Sequence, residues 1–301
     1  MKRRNFIKTA GLASVLLSTN AKGINNILNS KFNKLVVLHT NDWHSRIEPF
    51  PTDKSRNSNK GGAARRAGLI NKIKSEESNV LIFDAGDIFQ GTPYFNYFGG
   101  ELEFKLMSAM GYNAATMGNH DFDGGMDGFK KAQKYAKFDF ITTNYDFTNT
   151  ILEGRTKKYK IINANGIKVG ILSANIELEG LVGAKLYKET KYLDPVELAN
   201  DMAYKLKNEH KCDYIICLSH LGYKYSGNKV SDITLASQSN DIDLIIGGHT
   251  HTFMKKPDEI LNKNGKKVIV TQAGWAGILL GRLDIYFDKK KKFLWSESEF
   301  V

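Results

Sequence analysis

Seven histidines occur in the 301 residues, and five of them (His44, His120, His220, His249, His251) lie just beyond short apolar runs. Leu35–His39 leads into Asn41-Asp-Trp-His44, and Val80–Phe83 into Asp84-Ala-Gly-Asp87. Ala114–Met117 leads into Gly118-Asn-His-Asp121, Tyr214–Leu218 into Ser219-His220, and Leu244–Ile246 into Gly247-Gly-His-Thr-His251. The donors are all nitrogen and oxygen, with no thiolate. That set suits Zn, Mn, Fe or Co better than a cysteine-rich structural zinc site. Their number suggests two ions. If Asp87 bridges, one ion takes Asp42, His44, Asp87 and His251, and the other takes Asp87, Asn119, His220 and His249. Two divalent ions, two carboxylates and a bridging hydroxide leave one net positive charge, enough to attract a phosphate and still release it. Such a pair, about 3.5–4 Å apart, lowers the pKa of its water and clamps an in-line displacement. His120 follows a ligand directly and so points elsewhere. With Asp123 three residues on to orient and charge it, His120 is the candidate either to stabilise the transferring phosphoryl group or to protonate the leaving oxygen.

Donors scattered over more than two hundred residues need a scaffold that brings them to one edge. The apolar runs, with Val169–Leu172 and Val268–Val270, read as buried strands. Helix patterns lie between them. Glu101–Met110 is stopped by Gly111. Asp194-Pro195-Val196-Glu197 starts a helix whose apolar positions run to Leu206. Asp127–Ala136 is a weaker third, and Pro51–Lys60 reads as a surface loop. Alternation of this kind predicts α/β layers, with ligands at the carboxyl ends of the strands. Gly247 and Gly248 are expected to let the backbone turn tightly, and His249 and His251 to share one side of an extended segment.

In this order the five motifs resemble those of the calcineurin-like metallophosphoesterases, and more finely the catalytic (N-terminal) domain of the 5′-nucleotidase family. Gly118-Asn-His-Asp-Phe-Asp123 is similar to that family's catalytic segment, Gly61-Gly-Ala-Ala-Arg65 to its first helix, and Gln272-Ala-Gly-Trp-Ala-Gly277 to its closing strand region. The likeness runs from about residue 34 to 288. It implies a four-layer αββα sandwich, a dimetal site on one edge, and nucleotides or related phosphomonoesters as substrates. Ser45 departs from the family's usual glycine. Family nucleotidases also carry a second domain that binds the nucleoside, so either a separately encoded subunit is a partner or the enzyme is a permissive phosphatase. The alternatives are a thiosulfohydrolase of the sulfur-oxidation type and a non-catalytic metal-binding subunit.

Residues 1–21 read as a twin-arginine signal peptide: Arg3-Arg4-Asn5-Phe6-Ile7-Lys8, the apolar run Ala10–Leu17, then Thr19-Asn20-Ala21. Residues 22–33 read as a linker and 34–301 as the catalytic domain. A periplasmic or extracellular location follows. No cysteine succeeds the apolar run and no run is long enough to span a bilayer, so no stable membrane anchor is expected. The net charge of +11 falls to +7 without Lys2, Arg3, Arg4 and Lys8. The remaining lysines are scattered, and Lys289–Lys292 reads as a solvated turn, so nucleic acid is not the expected partner. Cys212 and Cys217, taken as lying on one strand at odd spacing, are expected on opposite faces and unbonded. Arg65 and Arg66 either help hold phosphate or form a solvated helix face. Asp84 either supports a ligand histidine or caps a turn. Phe89–Phe98 is read as core or interface packing rather than pocket lining, and His39 and His210 as structural.

Overall fold

The computed structural model describes residues 32–301. The signal-peptide reading of 1–21 and most of the linker lie outside them. The first part of the chain forms β1 (Asn33–Thr40), α1 (Ala63–Glu76), β2 (Val80–Asp84), α2 (Pro93–Phe98), α3 (Glu101–Met110), β3 (Ala114–Ala115), α4 (Gly125–Gln133) and β4 (Asp139–Phe140). Then come β5 (Tyr145–Asp146), β6 (Lys160–Ala164), β7 (Ile167–Asn175), α5 (Ala184–Tyr187), β8 (Lys191–Tyr192), α6 (Pro195–Tyr204) and β9 (Tyr214–His220). The last are α7 (Asp232–Gln238), β10 (Leu244–Ile246), β11 (Asp258–Leu261), β12 (Lys267–Thr271), β13 (Gly281–Phe287) and β14 (Phe293–Phe300).

Two six-stranded sheets result, in the orders β14-β13-β1-β2-β3-β4 and β11-β12-β10-β9-β7-β6. In each, four strands run parallel: β1 to β4 in the first, and β7, β9, β10 and β12 in the second. Antiparallel strands flank them. Side chains alternate between faces along a strand, and here both faces are buried. Leu35 and Val37 of β1, Leu81 and Phe83 of β2, and Tyr214, Ile216 and Leu218 of β9 meet in one cluster between the sheets. Val36, Leu38 and Ile82 face a second cluster with α1, α3 and α4. Ile215, Cys217 and Ile245 face a third with α6 and α7. Three apolar clusters separate four layers, helix–sheet–sheet–helix. Burial on both faces explains why the strands read as unbroken apolar runs.

The helix signals act as the sequence predicts. Gly111 ends α3 at φ 78°, its amide bonding the Met107 and Ser108 carbonyls. Asp194 caps α6 by accepting from the Val196 and Glu197 amides, and a π-helical turn, Lys205–Glu209, carries Leu206 into the core. The third helix lies slightly earlier than expected, and β3 is half as long. The cysteine reading needs correcting. Cys212 precedes β9 rather than lying on it, so both thiols reach the same outer cluster, buried and free. Among the described residues no helix is long and apolar enough to cross a membrane.

Candidate metal centre

The carboxyl ends of β1, β2, β3, β9 and β10 meet at one edge, and the donor residues stand in the turns that leave them. Two groups form. Asp42, His44 and His251 offer ligand atoms within 4.8 Å of one another, and so do Asp87, His220 and His249. In the first group the His44 and His251 Nε2 atoms are 3.0 Å apart, and Asp42 Oδ1 lies 3.4 Å from His251 and 4.0 Å from His44. In the second, His220 Nε2 is 3.1 Å from Asp87 Oδ2. Asn119 Oδ1 reaches His249 Nδ1 at 2.9 Å, which adds the seventh candidate to this group. The two groups interlock, because the Asp42 carboxylate accepts the His249 amide at 3.0 Å.

The local backbone is unusual. Asp42, His44, Asp87, His249 and His251 all have φ between 51° and 71°. Asp and His are among the non-glycine residues that reach this left-handed region most readily. The segment holding His249 and His251 is therefore bent, not extended, and its special dihedrals fall on the histidines. Gly248 serves a different need from the expected turn: a Cβ there would come within 2.8 Å of His220 Nδ1 and 2.9 Å of the Ala85 carbonyl.

These residues fit a cation. His220 is fully buried, and its Nδ1 donates to the Ala85 carbonyl at 2.6 Å, which leaves Nε2 facing the Asp87 carboxylate at 3.1 Å. Fixing one ring nitrogen on a carbonyl is the usual way to aim the other at a metal. Burial opposes charge on His220, but the Asp87 carboxylate prevails and raises its pKa to about 10. Burial lowers His249 to about 4 and depresses His44 as well.

His120 stands apart from both groups, 5.2 Å from His44 between ring centroids. A 3-10 turn, His120–Phe122, places residues three apart on one side. His120 Nδ1 thus donates to Asp123 Oδ2 at 2.8 Å, and that bond raises the histidine's pKa. The ring remains partly exposed.

Other expectations divide. Asp84 accepts from Thr40 Oγ1 and the Gly86 amide and from no ligand histidine, so it caps the turn. Arg65 is exposed and donates to Asn59. Arg66 is not a solvated charge: it is buried, with its guanidinium 4.0 Å over the Trp43 ring. Phe89 packs in the core against Phe95 and Phe104, whereas Tyr97 and Phe98 are exposed. His39 is buried in β1 with Nε2 3.3 Å from Thr271 Oγ1. His210 stacks on Tyr159.

Three residues escape sequence reasoning. Trp275 lies parallel to His251 with ring centroids 5.4 Å apart. Asp232 accepts from Ser219 Oγ and Gln272 Nε2, and Gln272 also donates to the Gly248 carbonyl, bracing the histidine loop. Asp121 accepts backbone amides from two loops. Burial, with the Asp87 charge beside it, pushes Asp121 up to about 7, against the amide that favours its ionised form. Trp275 and Gln272 carry a signal inside Gln272–Gly277, and Asp121 one inside Gly118–Asp123, whereas Asp232 carries none.

Residues 35–253 match the family model of the calcineurin-like phosphoesterases. The chain belongs to that family. A snake venom 5′-nucleotidase from Gloydius brevicauda is 34% identical over 278 residues, covering 85% of this chain and 46% of that protein. The crystal structure of a 5′-nucleotidase precursor from Thermus thermophilus has a TM-score of 0.79 at 31% identity, covering 89% of this chain and 54% of that one. The Thermus thermophilus sulfate thiohydrolase SoxB has a TM-score of 0.72 at 15% identity, covering 89% and 56%, a likeness of fold. The chain spans about half the length of these relatives. The family uses a dimetal site, and this edge presents two ligand groups for it.

Proposed function

We propose that this chain hydrolyses phosphomonoesters, 5′-nucleotides first among them, at the edge where the two ligand groups meet. The observation that carries the reading is the pairing of those groups with a partly exposed His120 whose Nδ1 is held by Asp123. Relatives named 5′-nucleotidase support the substrate class. Asp42, His44, Asp87 and His251 would hold one divalent ion, and Asp87, Asn119, His220 and His249 the other. Zn, Mn, Fe or Co suits the donors. Two bound ions supply Lewis acidity toward a phosphoryl oxygen and a water activated near neutral pH. The chain's own residues do the rest. Ala85 orients His220, Asp42 holds the His249 backbone, and Asp123 raises the His120 pKa and so favours its proton-donating form. With Nδ1 engaged, the His120 Nε2 proton is the one available to the leaving oxygen.

A panel of nucleoside monophosphates and simple phosphomonoesters, assayed with Mn or Zn beside Asp87→Ala, tests this. Hydrolysis no greater than that of the variant, with every metal, overturns it. Export is part of the reading, since Arg3-Arg4 heads a signal-like segment. Replacing both arginines by lysine should retain the protein in the cytoplasm, and unchanged export would refute that route. Base selectivity in this reading comes from a second polypeptide resembling the remaining half of the nucleotidases. Full selectivity in the isolated chain would rule that out. The fold likeness to SoxB alone does not favour thiosulfohydrolysis.

A further inference from the structure

Asp121 stands between Asn119, a candidate ligand, and Asp123, the partner of His120, yet its side chain belongs to neither role. It is fully buried and turned inward. Its Oδ2 accepts the Gly118 amide at 2.8 Å and the Asp87 amide at 3.0 Å. Its Oδ1 accepts the Ile88 amide at 3.0 Å and the Phe89 amide at 3.3 Å. A bond also returns the other way, because Asp87 Oδ1 accepts the His120 amide at 2.7 Å. Each loop thus places a carboxylate on the other's backbone. The fit is close: a Cβ on Gly118 would strike the Asp87 carboxylate.

The chemistry of this clasp is selective. A carboxylate is acceptor-only and has lone pairs for two N–H groups at each oxygen. Asparagine has the same shape but would turn its own NH2 toward two amides, whichever way it flipped. A longer glutamate would push the loops apart.

We propose that Asp121 is a positioning residue that sets the spacing of the Asp87 and Asn119 loops, and through it the metal affinity of the buried ligand group. The proposal rests on the metal-centre reading above. Its test is Asp121→Asn in the full chain, stripped of metal and titrated with Zn or Mn against a chromophoric chelator. The equivalent held by Asn119, His220 and His249 should weaken about 10- to 100-fold, as removal of an outer support does, and the other, which shares only Asp87, by clearly less. Excess metal should then restore most of kcat with KM little altered. Equal weakening of both equivalents, or a lower Tm with unchanged affinity, would overturn the proposal.

Hydrogen exchange of the wild-type, metal-free protein covers the case in which the variant does not fold. The Asp87, Ile88, Phe89 and Gly118 amides should exchange together and slowly. Independent, rapid exchange of the four would refute the clasp. A wild-type chain that binds no divalent ion would instead refute the metal-centre reading, while the exchange result still judges the clasp.

Discussion

The two ligand groups use similar residues but differ in how the protein holds them. The Asp87 group lies deep. Its His220 is fully enclosed, fixed by the Ala85 carbonyl, and paired with a carboxylate whose loop is tied to a second strand end. In the Asp42 group, Asp42 and His44 are buried as well, and only His251 reaches the rim. The His251 side chain is 39% exposed and lies against the face of Trp275, which in turn meets Phe50 edge-on. His220 is thus held by a hydrogen bond inside the fold and His251 by an aromatic contact at its surface. The difference teaches that corresponding histidines of two like groups can be braced by different forces.

Removing a histidine from each group should break this comparison most visibly. His220→Ala leaves Asp87 buried without its partner, which costs about 3–5 kcal/mol. His251→Ala removes a part-exposed ring and its stack on Trp275, and should cost about 0.5–1.5 kcal/mol. Urea unfolding in the presence of a chelator measures both. Equal losses would show that the two groups are braced alike.

Next in size is the pair beside them. Asp123→Asn should lower kcat by about 10²-fold or more while metal content stays the same. A loss of metal in that variant would place the pair among the structural supports.

The pH dependence sharpens the contrast further. His220 is raised above its ordinary value, to about 10, by Asp87. The pair therefore stabilises the metal-free fold fully below about pH 6.5 and loses that contribution as the pH rises through 10. An ion entering at pH 7.5 must displace that proton, whereas burial depresses His44 of the other group. Titration calorimetry in buffers of different ionisation enthalpy should show more proton release with the buried equivalent than with the other. Equal release from both would contradict the assignment.

The smallest effect belongs to Trp275. An aromatic stack contributes about 0.5–1.5 kcal/mol, so Trp275→Leu should weaken the rim equivalent by about 2- to 10-fold and spare the other. Loss of metal-dependent fluorescence change in the same variant would locate the reporter.

Much of this can be read from residue types. Strands buried on both faces are unbroken apolar runs, and metal donors at their ends are chemically distinctive. The α/β layering and the gathering of the donors at one edge follow from those two facts, and the count of four layers from the family resemblance. What stays hidden depends on backbone or on distance. Asp121 and Asp232 act through amides and side chains on other loops, which no spacing reveals. Arg66 is buried because Trp43 lies across from it, twenty-three positions earlier. Cys212 escapes placement because one residue decides whether a position belongs to a strand. The left-handed dihedrals of the ligand turns have no pattern in sequence beyond the residue types that tolerate them.

Those dihedrals have an evolutionary consequence. Five of the proposed ligand positions also carry a conformation that an ordinary side chain resists and glycine adopts freely. At 42 and 87 the carboxylates also hold neighbouring backbone and a buried histidine, so the fold itself keeps them. A copy of this gene relieved of its catalytic duty would lose the constraint first at 44 and 251. In sequences descended from this chain, glycine at 44 or 251 beside an intact Asp42 and Asp87 would mark the lineages in which the reaction has been abandoned while the sandwich is kept.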